Sequence, residues 1–333
     1  MHCNKYGWLF IAVFFTATFL SACSSSDGEM TDVRVGEVTR SIFYAPQYVA
    51  ISQGFFEEEG LNIDLTTTWG GDTTMTSLLS DGIDIALVGA ETSIYVYAQD
   101  ANDPAVNFAQ LTQTDGTFLV SREPVGQFDW NDLKGSTFLA QRAGGMPQMV
   151  GEYVLKQNGI DPQKDLELIQ NIDFGNIPSA FASGTGDYVQ LFEPTATQFE
   201  EEGLGFIIDS FGTQSGNLPY TVYMSKASYL KNNEETVEKF TRALYQAQQW
   251  VQEQAPEVIA EAIQDFFEDT PLSTIEQVVE RYRDQGSFAE NPLLQEDGWY
   301  LLQEVMAEAG ELPMEVPYNE LVNTEIVTGV IEE

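Results

Sequence analysis

Histidine is almost missing from this chain, which has one in 333 residues, and cysteine occurs only twice. The histidine, His2, lies with Cys3 and Lys5 in the first five residues. Residues 8–20 (WLFIAVFFTATFL) follow as an almost unbroken apolar run. At 13 residues it is too short to cross a hydrocarbon core of roughly 30 Å as a helix, and it has the length of the core of a secretory signal peptide. A leader covering residues 1–22 is therefore expected, and its removal leaves 311 residues with no histidine and one cysteine, Cys23. That absence excludes Ser-His-Asp and Cys-His nucleophilic chemistry, a histidine general base, a zinc site of His and Cys, and any disulfide within the mature chain. No catalytic residue, no metal and no cofactor is expected. Paired-carboxylate chemistry remains open in principle, but no two acids stand out by their spacing.

Basic residues are scarce as well. Against 52 Asp and Glu stand 14 Lys and Arg, giving a formal net charge of −38 and a pI near 4.1. Nucleic-acid binding, which needs clustered cations to displace counterions, is excluded, and so is a polybasic contact with anionic lipid. A chain this acidic with few aromatics would read as disordered. Here aromatics make up 12% and hydrophobic residues 43%, so the chain folds. The acidity reads as adaptation of the surface to a saline or alkaline medium. No long exposed apolar stretch or repeat array supports an adhesin or chaperone.

What remains is long for one core and suits two domains. Short β-rich runs alternate with helical stretches, which argues for an α/β fold. Strands are expected at 33–38, 62–68, 84–88, 108–113 and 117–121. A helix entered at Pro46 should stop near Gly54, and another should run from Thr73 through Leu79. A weak internal repeat pairs residues 78–92 (LLSDGIDIALVGAET) with 180–195 (AFASGTGDYVQLFEPT), so that Glu91 and Glu193 occupy matching places. GFFEEEGLNIDLT is likewise echoed by YVLKQNGIDPQKDLELIQ. Two similar halves imply two similar α/β lobes, although any α/β unit shares part of this pattern. From Ala227 to about Gly310 the spacing of Leu230, Val237, Phe240, Leu244 and Val251 is helical, with Trp250 and Phe266-Phe267 plugging these helices onto a lobe.

Two resemblances sharpen this reading. The apolar run ends in Leu20-Ser21-Ala22-Cys23, which resembles the lipobox of bacterial lipoproteins, in which the cysteine is acylated and begins the mature chain. A plain signal peptide with Cys23 there by chance is the alternative. Residues 23–32 would then be a lipidated tether. The segments QYVAISQGFFEEEGL, DGIDIALVG and DLKGST, within 33–226, resemble solute-binding proteins of the nitrate, taurine, aliphatic-sulfonate and thiamine-pyrimidine-precursor importers. The resemblance implies a two-lobed periplasmic-binding-protein type II fold with one ligand in the cleft, and no enzyme. Lobe one would be 33–122 plus 219–333 and lobe two 123–218, with crossings near 120–126 and 217–220. The implied partners are a small-molecule solute, the ABC permease and ATPase of an importer, and the membrane through a lipid anchor. The implied location is extracytoplasmic, and a monomer is expected.

Open α/β sheets bind ligands at the carboxyl ends of strands, where helix N-termini point into a crevice. Loops in that position carry the aromatics Phe43, Tyr44, Trp69, Phe118 and Phe192 and the acids Asp72, Glu91, Asp115 and Glu193. Gly71, Thr92 and Gly144 complete the candidate set; each glycine is either a close backbone approach or an ordinary turn. Aromatic faces with carboxylates favour an amino-bearing heteroaromatic such as a thiamine pyrimidine precursor. Arg142 beside Gly144-Gly145, and Arg40, favour instead a sulfonate or nitrate. The synthase that makes the thiamine pyrimidine shares this fold, but its dependence on histidine and a cysteine-rich segment removes it. Glu193 is the strongest single candidate, unless it merely caps a helix starting at Pro194.

Overall fold

The computed structural model describes Met1 and residues 30–333. The expected leader, Cys23 and most of the tether lie outside the described residues. Ten strands follow: β1 (Thr31–Glu37), β2 (Leu61–Thr67), β3 (Ile85–Gly89), β4 (Ala105–Thr112), β5 (Thr117–Ser121), β6 (Thr137–Leu139), β7 (Glu167–Ile169), β8 (Tyr188–Phe192), β9 (Phe206–Ser210) and β10 (Thr221–Lys226). They form two five-stranded sheets, in the orders β2-β1-β3-β10-β4 and β7-β6-β8-β5-β9. In the first, β1 is parallel to β2 and β3, while β10 runs antiparallel between β3 and β4. The second repeats this plan, with β6 parallel to β7 and β8, and β5 antiparallel between β8 and β9. The paired segments 78–92 and 180–195 do fall at equivalent places, since β3 and β8 hold the third position of their sheets.

Each crossing delivers the chain into an inner strand of the sheet it enters. β5, read from the sequence as the end of lobe one, pairs with β8 and β9 in the second sheet. The crossings are therefore residues 113–116 and 211–220; the first comes earlier than expected, and the second begins earlier but contains the expected 217–220. Residues 117–121 are buried throughout, so their apolar pattern marks a central strand without saying which sheet it joins.

The chain beyond β10 is helical, and it packs on both lobes. Val237, Phe240, Leu244 and Val251 form the buried stripe of the helix Glu234–Glu253, as their spacing predicted. Phe266 stacks on Tyr48 of lobe one at 4.7 Å between ring centroids, and Phe267 meets the same ring edge-on at 5.4 Å. The helix Leu272–Asp284 reaches further. Its Tyr282 hydroxyl donates to the Gly116 carbonyl in the first crossing at 2.9 Å. Its ring packs on Phe43 with centroids 5.1 Å apart. Thr274 donates to Glu201 in lobe two at 2.9 Å.

The same helix accounts for Glu193. Its carboxylate is buried, accepts from the Thr197 N–H and hydroxyl, each at 2.8 Å, and is held by the Arg281 guanidinium. Glu193 thus caps the helix Thr195–Glu202 and ties lobe two to Leu272–Asp284. Burial pushes its pKa up, and the neighbouring Arg281 and Thr197 offset part of that. A Glu193→Ala variant removes the cap and leaves Arg281 without its partner. It is expected to lose about 3 kcal/mol of unfolding free energy in urea titrations; an unchanged midpoint would show that the network carries no stability.

Candidate functional site

A cavity of about 840 Å³ lies between the two sheets, where the carboxyl ends of their parallel strands face each other. Lobe one contributes Thr39, Tyr44, the turn from Trp69 to Thr73, and residues from Val88 to Val96. Lobe two contributes the turn from Gln141 to Pro147, Asp173 to Gly175, and Phe192, while Tyr220 and Thr221 close the floor. Of the residues expected from sequence, Tyr44, Trp69, Gly71, Asp72, Glu91, Thr92, Arg142, Gly144 and Phe192 border this cavity.

Glu91 is the chemical centre of the wall. It opens the helix Glu91–Tyr97 directly after β3 and is 4% exposed. The N–H of Met146, first residue of the helix Met146–Gln157 in lobe two, donates to its Oε1 at 3.2 Å across the cleft. Its Oε2 is buried without a hydrogen-bond partner. Burial pushes its pKa up to about 7, against the backbone N–H groups that favour the charge. Unlike Glu193, it has no guanidinium or ammonium group among the causes of its shift.

Arg142 is the single cation among the residues lining the cavity, against Asp72, Glu91 and Asp173. It spans the cleft mouth, 3.0 Å from Asp72 of lobe one and 3.9 Å from Asp173 of lobe two. These groups are largely exposed, so the pair is worth less than about 1 kcal/mol, but it occupies the guanidinium. Tyr95 adds a further inter-lobe bond, its hydroxyl donating to the Gly144 carbonyl at 3.2 Å. Trp69 stands at the rim, 62% exposed, with a left-handed φ of 58°. A bulky side chain in that backbone region is costly and is characteristic of a functional position.

Five expected contacts are corrected. Phe43 lies behind the cavity, buried between Tyr220 and Tyr282, because its short 3-10 turn points into the core beneath the crossings. Asp115 is fully buried in the first crossing, where Oδ1 accepts from the Thr117 N–H at 2.6 Å; burial raises its pKa to about 6. Glu193 is turned away by its cap and by Arg281. Arg40 donates to the buried Glu37 at 2.8 Å and lies over the Tyr48 ring, so it organises the loop after β1 and does not face the cleft. Phe118 likewise does not line the cavity and packs under Tyr282.

Sequence reasoning missed Tyr95, Tyr220 and the turn 173–175. The turn follows β7, the counterpart of β2 in the second sheet, and so mirrors the turn from Trp69 to Thr73. The paired segments named above contained that correspondence. β7 is only three residues long, however, and the strand read in that echo did not single out the turn after it.

Fold and cleft together are those of the two-lobed periplasmic-binding-protein architecture. A model of the NMT1-like family matches residues 26–265, and the chain belongs to that family. It is 60% identical over 329 residues to a Bacillus subtilis (strain 168) protein named "Putative binding protein YtlA", covering 99% of this chain and 98% of that one. Among solved structures, the alkanesulfonate-binding protein SsuA from Xanthomonas axonopodis pv. citri, bound to MOPS, superposes with a TM-score of 0.73 at 16% identity, over 89% of this chain and 99% of SsuA. The periplasmic nitrate-binding protein NrtA from Synechocystis PCC 6803 gives a TM-score of 0.72 at 17% identity, over 91% of this chain and 89% of NrtA. The family and the fold are those that the residues resembled.

The pKa of Glu91 carries a sign. Because it is raised from 4.5 to about 7 on folding, the stability tied to its protonated form is fully present below the lower value and is lost as pH rises through the upper one. Glu91→Gln should therefore melt roughly 5 °C above the wild type at pH 8 and level with it near pH 4. Thermal melts across that range check this, and equal midpoints at both pH values would contradict it.

Proposed function

We propose that this protein captures a small amino-bearing heteroaromatic solute, such as a thiamine pyrimidine precursor, outside the cell membrane. It passes the solute to the permease of an ABC importer and acts without catalysis. The observation that carries the ligand class is Glu91, a buried carboxylate bordering the cavity with an unpartnered oxygen and no counter-cation. A ligand amino group supplies the missing donor through a charge-assisted bond. Tyr44, Trp69, Phe174 and Phe192 offer ring faces around it. The fold alone decides neither ligand nor activity, but a 60%-identical relative is named as a binding protein.

An oxyanion is the second reading, because two structures of this fold are named for alkanesulfonate and nitrate. Here the groups that would hold an anion are occupied by the chain's own carboxylates. Glu91 takes the Met146 N–H, and Asp72 takes Arg142. Isothermal titration with 4-amino-5-aminomethyl-2-methylpyrimidine, ethanesulfonate, taurine and nitrate separates the two. The aminopyrimidine is expected to bind and Glu91→Gln to weaken it roughly 10- to 150-fold. Tight binding of sulfonate or nitrate, unchanged or improved by Glu91→Gln, would establish the second reading instead.

The anchor proposed for the protein is lipid on Cys23. Two acyl chains hold a protein stably at a membrane, at about 0.8 kcal/mol per buried methylene. Cys23→Ser should move the protein from the membrane fraction of its host to the medium. A variant that stays with the membrane would remove the anchor from this account.

A further inference from the structure

The cavity is polarised along its length. The helices Gly71–Leu79 and Glu91–Tyr97 follow β2 and β3, which run parallel in one sheet, so both start at the cleft and leave it in the same direction. Their cavity-facing residues recur at helical spacing: Asp72, Met75 and Leu79 on one, Glu91, Tyr95 and Val96 on the other. Each first turn presents a carboxylate, and beyond it neither helix places a charged residue on the cavity. The far end is walled by Met75, Leu79, Val96 and Ala101, with Thr76 and Gln99 beside them and Leu79 42% exposed at its lip.

We propose that this end is a second, apolar subsite, and that the solute is bipartite: an amine head at Glu91 and an apolar or aromatic extension lying between the two helices. The inference rests on the amine reading given above and adds the shape and the far half of the ligand. Two observations carry it. The cavity of about 840 Å³ is of the size that encloses drug-sized molecules, roughly 300–1,000 Å³, and one aminopyrimidine ring fills only a fraction of it. The charge also changes once, from carboxylates to uncharged and mainly apolar side chains. The change spans the stretch from Asp72 to Leu79, about 10 Å at the rise of a helix. A ligand that leaves the far end in water forgoes the apolar burial this wall offers.

Titration calorimetry with 4-aminopyrimidine and its 2-methyl, 2-butyl and 2-phenyl derivatives tests the subsite. The wild type is expected to gain roughly fourfold in affinity per buried methylene, so the butyl compound should bind tens of times more tightly than the methyl one. Leu79→Asn, at an exposed position that leaves folding intact, and the double variant Leu79→Asn with Val96→Thr should remove most of that gain. Both should hold 4-aminopyrimidine itself within about threefold of wild type. If the head binds and the series shows no gain, or if the gain survives in both variants, the subsite is refuted while the amine reading stands. If no member of the series binds, the amine reading falls and the subsite with it.

Discussion

The two sheets depend on the strand that the chain lays down directly after each crossing. β5 follows the first crossing and β10 the second, and each sits inside its sheet with a strand on either side. Moving either one would strip a ladder of backbone hydrogen bonds from the middle of a buried sheet, where each orphaned group is costly. The crossings are also bound to each other. The Leu218 N–H donates to the Gln113 carbonyl at 3.0 Å, the Tyr220 N–H to the Thr112 carbonyl at 3.2 Å, and the Asp115 N–H to the Ser215 hydroxyl at 3.0 Å. The backbone of the cleft floor is therefore a paired ribbon, and Tyr220 rises from it to meet the cavity.

On that floor the two repeated halves diverge in one respect that matters for chemistry. Glu91 and Glu193 follow equivalent strands, yet Arg281 reaches only the second. The helical segment after β10 supplies that guanidinium, and the repeat itself has no counterpart for it on the other side. One carboxylate is thereby consumed as a structural staple, while its mate remains partly unsatisfied at the cavity wall. Position in the fold made both available; the asymmetry of the C-terminal helices decided which one faces the cavity.

Much of this was legible in the chain itself. The alternation at 33–38 and 62–68, Pro46 in a first turn, and the helical stripe after Ala227 are local patterns, and the structure contains each of them. The cleft loops were legible too, because strand-to-helix turns at carboxyl ends follow from α/β connectivity. What could not be read were choices made at long range. The sheet that β5 joins depends on partners 70 to 90 residues away in sequence. The roles of Arg40, Asp115 and Glu193 depend on which neighbour reaches them first, Glu37, Thr117 or Arg281. Phe43 sits in a loop at the right end of the sheet, but its neighbours Tyr220 and Tyr282 come from segments about 180 to 240 residues distant, and they draw it inward.

The helix Leu272–Asp284 bears on how the lobes can move. It holds the first crossing through Tyr282, lobe two through Glu193 and Glu201, and the aromatic floor through Phe43. A rod fastened at both ends behind a pivot fixes where the pivot lies. Rotation of one lobe against the other has to turn about the ring cluster of Phe43, Phe118 and Tyr282, with little sliding, because sliding would shear the rod from one of its anchors. The mouth, where Asp72 meets Arg142, lies at the far end of the lever. Small angular changes at that axis are accordingly magnified at the rim, where the exposed ion pair of Asp72 and Arg142 spans the mouth.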